Sequence, residues 1–303
     1  MSTDPTQGSL DVRWIHGSPS RRHPTDPPWQ VHHYRPDTVI LRQSKDATFE
    51  APFTFLLLGR DRAFLLDTGA VDDHTLRDAV DELVADWLVG HPRTDYQLVV
   101  AHTHAHGDHI AGDASFADRP ATVVVGTSPE DVQEFFGFDS WPGQIVDHDL
   151  GERRLEVTGI PGHQPASIAV YDAASGLLFT GDSVYPGRIY VRDFPAFVDS
   201  MNRLVDLADS RAVSHVLGCH IEMTRTPRRD YFFGSRYQPD EPPLQMTPDQ
   251  LRALRDAAVS IADQPGTHRF DDFVIYHGTG LRTQLPLIAR GVVGQARDRL
   301  VRR

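Results

Sequence analysis

The sequence predicts an α/β (α+β) protein in which β-sheets are covered by helices. Short apolar runs of strand length alternate along the chain with segments whose apolar residues recur every three or four positions. The composition, 40% hydrophobic and 24% charged, is that of a globular protein and neither disordered nor fibrous. The 303 residues suffice for one large domain or two small ones, burying about three quarters of the unfolded surface.

The first 37 residues read as an arm with little regular structure, interrupted by Pro19, Pro24, Pro27, Pro28 and Pro36. Strands follow at 38–44, 53–58 and 62–67, the last two joined through Gly59-Arg60-Asp61 as a hairpin. Leu76, Val80, Leu83, Val84 and Trp87 share one face of a helix over 72–89. Tyr96 to Ala101 is a strand that ends where the histidines begin, and Ala121 to Val125 is another. Ser128-Pro129 starts a helix to Phe136. Strands are expected at 153–158, 167–171, 177–180 and 213–217, with a helix over 195–208. The character changes after 222. Pro227, Pro239, Pro242 and Pro243 stand among aromatics and charges in a long excursion over 224–247. Thr247-Pro248 opens a helix to about Ala262, and Phe270 to Tyr276 adds a strand. The expected organisation is a catalytic core with its N-terminal arm over 1–221. A C-terminal extension over 222–303, with a lid and a terminal helix, packs on it and does not fold alone.

Composition excludes several classes of function. A net charge of −12 argues against binding a phosphate backbone, so no nucleic-acid partner is expected. The only cysteine, Cys219, rules out an internal disulfide framework and a four-cysteine metal site. The only lysine, Lys45, leaves no Gly-Lys pair for a P-loop. The longest apolar run, Phe53 to Leu58, falls far short of the ~20 residues of a membrane span, and 1–37 has no apolar core of a secretory signal. Arg21-Arg22 is followed by Pro24, Asp26, Pro27 and Pro28 where a twin-arginine signal needs an apolar stretch. A cytoplasmic protein with no membrane partner is the expectation.

The histidines carry the chemistry. Residues 102–109 read His-Thr-His-Ala-His-Gly-Asp-His. Sixteen histidines spread evenly would place about 0.4 in an eight-residue window, and this one holds four. Neutral imidazole and carboxylate suit zinc, and His104, His106, Asp108 and His109 can converge from one strand-to-helix turn. Strand alternation sends His104 and His106 to the same side. Three more candidates follow apolar runs or sit in a turn: His163 in Pro-Gly-His, Asp182 after Thr180-Gly181, and His220 after Gly218-Cys219. Each alone reads as an ordinary loop residue; together with the cluster they read as a metal site.

On these motifs the chain resembles the metallo-β-lactamase fold superfamily, over Asp67 to His220. His104, His106, Asp108 and His109 match its H-x-H-x-D-H signature, and Leu66-Asp67-Thr68-Gly69 matches the turn supporting the site. The resemblance implies an αββα sandwich of two mixed β-sheets flanked by helices, with metals at one end. It implies that His104, His106 and His163 hold one ion, that Asp108, His109 and His220 hold the other, and that Asp182 bridges both. Asp67 would then support the site without being a ligand. His102 lies outside the pattern and reads as a strand-end residue, and Cys219 as a small buried one.

The implied cofactors are two Zn²⁺, with iron and manganese as alternatives, since N/O ligands do not distinguish them. Two such ions acidify a bridging water and polarise a carbonyl. A dinuclear hydrolase that uses a bridging hydroxide on an ester, thioester or lactone is therefore expected, with a small-molecule acyl substrate. True β-lactamases of this fold generally lack the bridging aspartate, whereas hydroxyacylglutathione hydrolases and acyl-homoserine lactonases, which the chain resembles more, keep it. Tyr185 matches the tyrosine with which the lactonases polarise the substrate carbonyl, and Asp108 is the other catalytic candidate. The alternatives are a mononuclear iron persulfide dioxygenase, a phosphoesterase or nuclease, and a non-catalytic binding module of the same fold. Tyr231, Phe232, Phe233, Tyr237, Arg228, Arg229 and Arg236 suit a lid over the metals, a homo-oligomer contact or a surface wrap.

Overall fold

The computed structural model describes residues 8–278, 280, 289–294 and 296. The first half of the chain builds one sheet. β1 (Trp29–Arg35), β2 (Thr38–Gln43), β3 (Phe53–Leu58) and β4 (Arg62–Leu66) form an antiparallel meander, with the expected hairpin between β3 and β4. After α1 (Thr75–Gly90), β5 (Gln97–Ala101) pairs parallel to β4. A short α2 (Gly107–Ile110) then precedes β6 (Thr122–Val124), parallel to β5, and α3 (Pro129–Phe136). β7 (Ile145–Asp149), β8 (Arg154–Gly159), β9 (Ile168–Asp172) and β10 (Leu177–Gly181) open a second sheet as another antiparallel meander. After β11 (Arg188–Val191) and α4 (Phe194–Ser210), β12 (His215–Gly218) pairs parallel to β10. β13 (Gln245–Met246) closes that edge. α5 (Pro248–Ser260) leads to β14 (Gly266–Arg269) and β15 (Val274–His277), which form a third, small sheet with β11.

Alternation along the strands decides the layers. Phe53, Phe55 and Leu57 of β3 pack with Val157, Val170 and Phe179 of the second sheet, so this face is the interior of the sandwich. Leu56 and Leu58 point the other way, onto Leu76, Val80 and Leu83 of α1. On the far side, Ala169, Leu178 and Val216 meet Phe197, Leu204, Leu251 and Leu254 of α4 and α5. The result is the expected αββα order, helix, sheet, sheet, helix. Ser128 and Thr247 cap α3 and α5 in reciprocal capping boxes with Asp131 and Gln250, each worth about 1 kcal/mol.

The N-terminal arm differs from expectation at its end. Residues 8–28 form no helix or strand, but 29–35 is the edge strand β1, and Leu10 and Trp14 are buried at the margin of the inter-sheet core. The 224–247 excursion is an ordered strap. Its backbone is tied at Tyr231 N–H to Glu222 O (2.9 Å), and at Gln238 N–H to His16 O in the arm (2.8 Å). Among the described residues no helix is long and apolar enough to cross a membrane.

Candidate metal centre

Each candidate ligand leaves the C-terminal end of a strand. His104, His106, Asp108 and His109 follow β5, His163 follows β8, Asp182 follows β10, and His220 follows β12. The sandwich thereby gathers side chains 116 residues apart in sequence at one end. Two glycines make the approach close enough. Gly181, at φ 53°, has Thr103 where a Cβ would lie (2.6 Å), and Gly162, at φ 135°, has the Phe197 backbone there (2.5 Å). A side chain at either would be strained and would push against Thr103 or against α4.

The seven predicted ligands form two sets. In the first, His104 Nε2, His106 Nδ1 and His163 Nε2 lie 2.9, 3.0 and 3.2 Å from one another. In the second, His220 Nε2 stands 3.4 Å from both His109 Nε2 and Asp108 Oδ2. Asp182 lies between the two. Its Oδ1 is 3.3 Å from His220 Nε2 and 3.6 Å from His109 Nε2, while its Oδ2 is 3.9–4.0 Å from His163 and His104.

The far sides of the rings fix which nitrogens carry protons. His163 Nδ1 donates to the Tyr190 carbonyl (2.6 Å), His220 Nδ1 to the Glu50 carbonyl (3.1 Å) and His109 Nδ1 to Asp67 Oδ2 (2.9 Å). His104 Nδ1 meets Thr103 Oγ1 (3.1 Å), whose own proton goes to Asp67. In the neutral rings the four Nε2 lone pairs therefore face inward. They face other acceptors. Asp182 Oδ1 is buried without a hydrogen-bond donor among the described residues. Nitrogens and carboxylate oxygens that converge this closely, a set of His₃ beside Asp₂His₂, suit a divalent ion with N/O preference.

Charge divides the two sets. Burial and the neighbouring imidazoles hold His104 well below its ordinary value, and burial takes His106 to about 4 and lowers His163. These three favour the neutral form, the one in which imidazole can bind a metal. Burial also pulls on His220, but Asp182 and Asp108 outweigh it and carry His220 up to about 9. Burial opposes the charge on Asp108 as well, yet His109 and His220 bring it down to about 2. The second set takes up protons when no metal is present and must release them to bind one.

Asp67 organises the site from beneath. Fully buried and at φ 71°, it accepts Thr103 N–H (2.7 Å), Thr103 Oγ1 (2.8 Å), His109 Nδ1 and the Cys219 thiol (3.2 Å). It touches His109 rather than facing the centre, as a supporting residue should. His102 donates instead to Asp113 (Nε2 to Oδ1, 2.8 Å) as a strand-end residue, and Cys219 is buried with its thiol pushed up by burial.

Tyr185 packs beside the centre with its hydroxyl hydrogen-bonded inside the protein. Its hydroxyl donates to the Arg188 carbonyl, with Glu222 Oε2 at 3.2 Å, and its ring packs 5.8 Å from that of His220. Being three residues from Asp182 puts the ring against His220, while the hydroxyl is held by β11. Sequence reasoning missed Glu50 and Tyr190, which act through backbone carbonyls that no residue type announces, and the Arg188–Glu222 pair beneath His220.

Comparison with known proteins gives the family and the fold. The family model described as the metallo-beta-lactamase superfamily matches residues 47–266. A hydroxyacylglutathione hydrolase of Synechococcus sp. (strain JA-2-3B'a(2-13)) is 28% identical over 256 residues, 78% of this chain and 92% of that protein. A protein of the same name from Xanthomonas euvesicatoria is 28% identical over 213 residues, 65% of this chain and 72% of its own. A metallo-β-lactamase structure from Erythrobacter litoralis superposes with a TM-score of 0.53 at 16% identity, over 78% of this chain and 98% of that one, a likeness of fold. The chain belongs to the metallo-beta-lactamase superfamily and is a metal-dependent hydrolase.

Proposed function

We propose that the protein hydrolyses a carbonyl ester, thioester or lactone at a pair of divalent ions, zinc first among them. The observation that carries this is the Asp182 carboxylate, which turns one oxygen toward each histidine set. His104, His106 and His163 would hold one ion, Asp108, His109 and His220 the other, with Asp182 shared. When bound, two such ions supply a water acidified toward neutral pH and a Lewis acid for the carbonyl oxygen.

The chain's own residues do the rest. Asp67 and the Glu50 carbonyl keep the His109 and His220 lone pairs turned inward, and the Tyr190 carbonyl does the same for His163. Asp108 is the most solvent-accessible carboxylate of the centre, its side chain 22% exposed against 9% for Asp182. Its Oδ2 faces His109 and His220, which leaves Oδ1 to orient the attacking water and receive its proton. The relatives' name, hydroxyacylglutathione hydrolase, puts a thioester at the head of the three substrate classes.

The test pairs metal analysis with a panel of thioester, lactone, ester, β-lactam and phosphodiester substrates. Close to two ions per chain and turnover of an acyl substrate are expected. One redox-active iron with no hydrolysis would turn the reading to a dioxygenase, and turnover of the phosphodiester alone to a phosphoesterase.

A further inference from the structure

A largely buried ion pair, Arg188 with Glu222, is linked to both histidine sets through Tyr185 and Tyr190 and belongs to neither. Arg188, 2% exposed, opens β11. Its guanidinium donates to Glu222 Oε1 and to the Tyr231 carbonyl (2.8 Å). Its Nε donates to the Tyr190 hydroxyl (3.1 Å). Glu222 Oε2 accepts the Arg188 backbone N–H at 2.7 Å. Each partner then leads to a ligand. Glu222 stands two residues after His220 and beside the Tyr185 hydroxyl, whose ring packs on His220. Tyr190 carries the carbonyl that orients His163. Asp230, also against Arg188 (3.5 Å), takes Arg269 and Arg290 at 2.7 Å each, which brings β14 and the 289–294 helical turn into the same network.

Stability alone is a poor reason for such a pair. Two ions lose their hydration on burial, and apolar replacements of similar volume are often as stable or more so. What a carboxylate held by both the guanidinium and the backbone N–H of one arginine adds is fixed geometry. We propose that Arg188 and Glu222 are positioning residues: they lock the segment after His220 to β11, and so hold His220 in register with Asp108, His109 and Asp182. Through Tyr190 the same pair steadies His163. The inference rests on the proposal that these histidines hold metal ions.

The test titrates metal-free protein with zinc against a chromophoric chelator, reading the two affinities separately. Glu222→Gln removes one charge and leaves Arg188 partly unpaired. The double variant Arg188→Met with Glu222→Gln buries no orphaned ion, because Asp230 keeps Arg269 and Arg290, and it decides the question if the single variant does not fold. In a folded variant, judged by circular dichroism, the weaker zinc affinity should fall about 10-fold to 100-fold, the range for lost ligand support. Both affinities staying within about twofold of the unaltered protein, even with a lower melting temperature, would show that the pair only stabilises the fold. His220→Ala separates the two ideas: if it binds two zinc ions as tightly as the unaltered protein, the ligand assignment itself fails, and the positioning proposal with it.

Discussion

Asp67→Asn is the most informative single change, because it keeps size and shape while altering one acceptor. Asparagine tolerates the left-handed backbone that Asp67 adopts at φ 71°, so the turn itself should survive. The hydrogen bonds cannot all survive. With the amide oxygen in the Oδ2 position, Thr103 Oγ1, His109 and Cys219 keep an acceptor, but the NH₂ then faces the Thr103 N–H, which stood at 2.7 Å from a carboxylate oxygen. With the amide reversed, the NH₂ faces His109 Nδ1 and drives its proton to Nε2, the atom aimed at Asp182. The first arrangement orphans one buried N–H, about 1–3 kcal/mol, and weakens a charge-assisted bond by about 1–2 kcal/mol more. The total, about 2–5 kcal/mol, is spread over an unfolding entropy of about 0.6 kcal/mol per degree for a chain of 303 residues, so the melting temperature should drop about 3–8 °C. Zinc affinity at the Asp108–His109–His220 set should fall about 10-fold to 100-fold. Scanning calorimetry of the metal-free protein and a zinc titration read the two effects. An unshifted melting temperature with unchanged zinc affinity would refute the assignment of Asp67 as organiser.

Three further outcomes are expected. Asp108→Ala should abolish turnover while leaving circular dichroism unchanged, and retained activity with full metal content would remove Asp108 from the reaction. Tyr185→Phe should keep kcat within about threefold and lower stability by about 1 kcal/mol, since its hydroxyl serves the Arg188 carbonyl; a 10-fold to 100-fold loss of kcat would restore it as a carbonyl-polarising donor of about that worth. His148, half-buried among Phe64, Phe135 and Phe136, is lowered by burial to about 4. Between pH 6.5 and 4 the unfolded chain takes up a proton that the folded chain refuses, so stability is full above 6.5 and is lost as pH falls, by at most about 1.4 kcal/mol per pH unit. His148→Leu should flatten this slope in denaturant melts, and parallel curves for the two proteins would show that His148 does not titrate this way.

Legibility in the sequence followed chemical distinctiveness. The eight residues from His102 to His109 concentrate imidazole and carboxylate at a strand end, and the apolar runs before Asp182 and His220 mark two more strand ends. Strands that bury a whole face, such as 53–58 and 177–181, read directly from their apolar residues. Some edge and minor strands did not. Ile145–Asp149 reads IVDHD and Gly266–Arg269 reads GTHR, each with one flank open, so neighbours and not propensity decide their pairing. β1 was hidden by the prolines before it, although Trp29 to His33 pair in register with β2. Tyr185 shows the same limit at side-chain scale, because spacing from Asp182 says nothing of where a hydroxyl three residues on will find its acceptor.

The parentage of the two histidine sets has a consequence for assembly. Each draws on both sheets: His104 and His106, or Asp108 and His109, come from the first, while His163, Asp182 and His220 come from the second. No partial chain that stops before His163 can complete either set, and the second waits for residue 220. A nascent chain on the ribosome could thus complete its first set only after His163 and its second only after His220. Once captured, an ion would act as a rivet through the sandwich, resisting any slide of one sheet over the other, by RT ln(1 + [L]/Kd). Depriving the folded protein of metal would then loosen the seam between the sheets before it melted either one, and amide exchange along β5 and β12 would be the first place to see it.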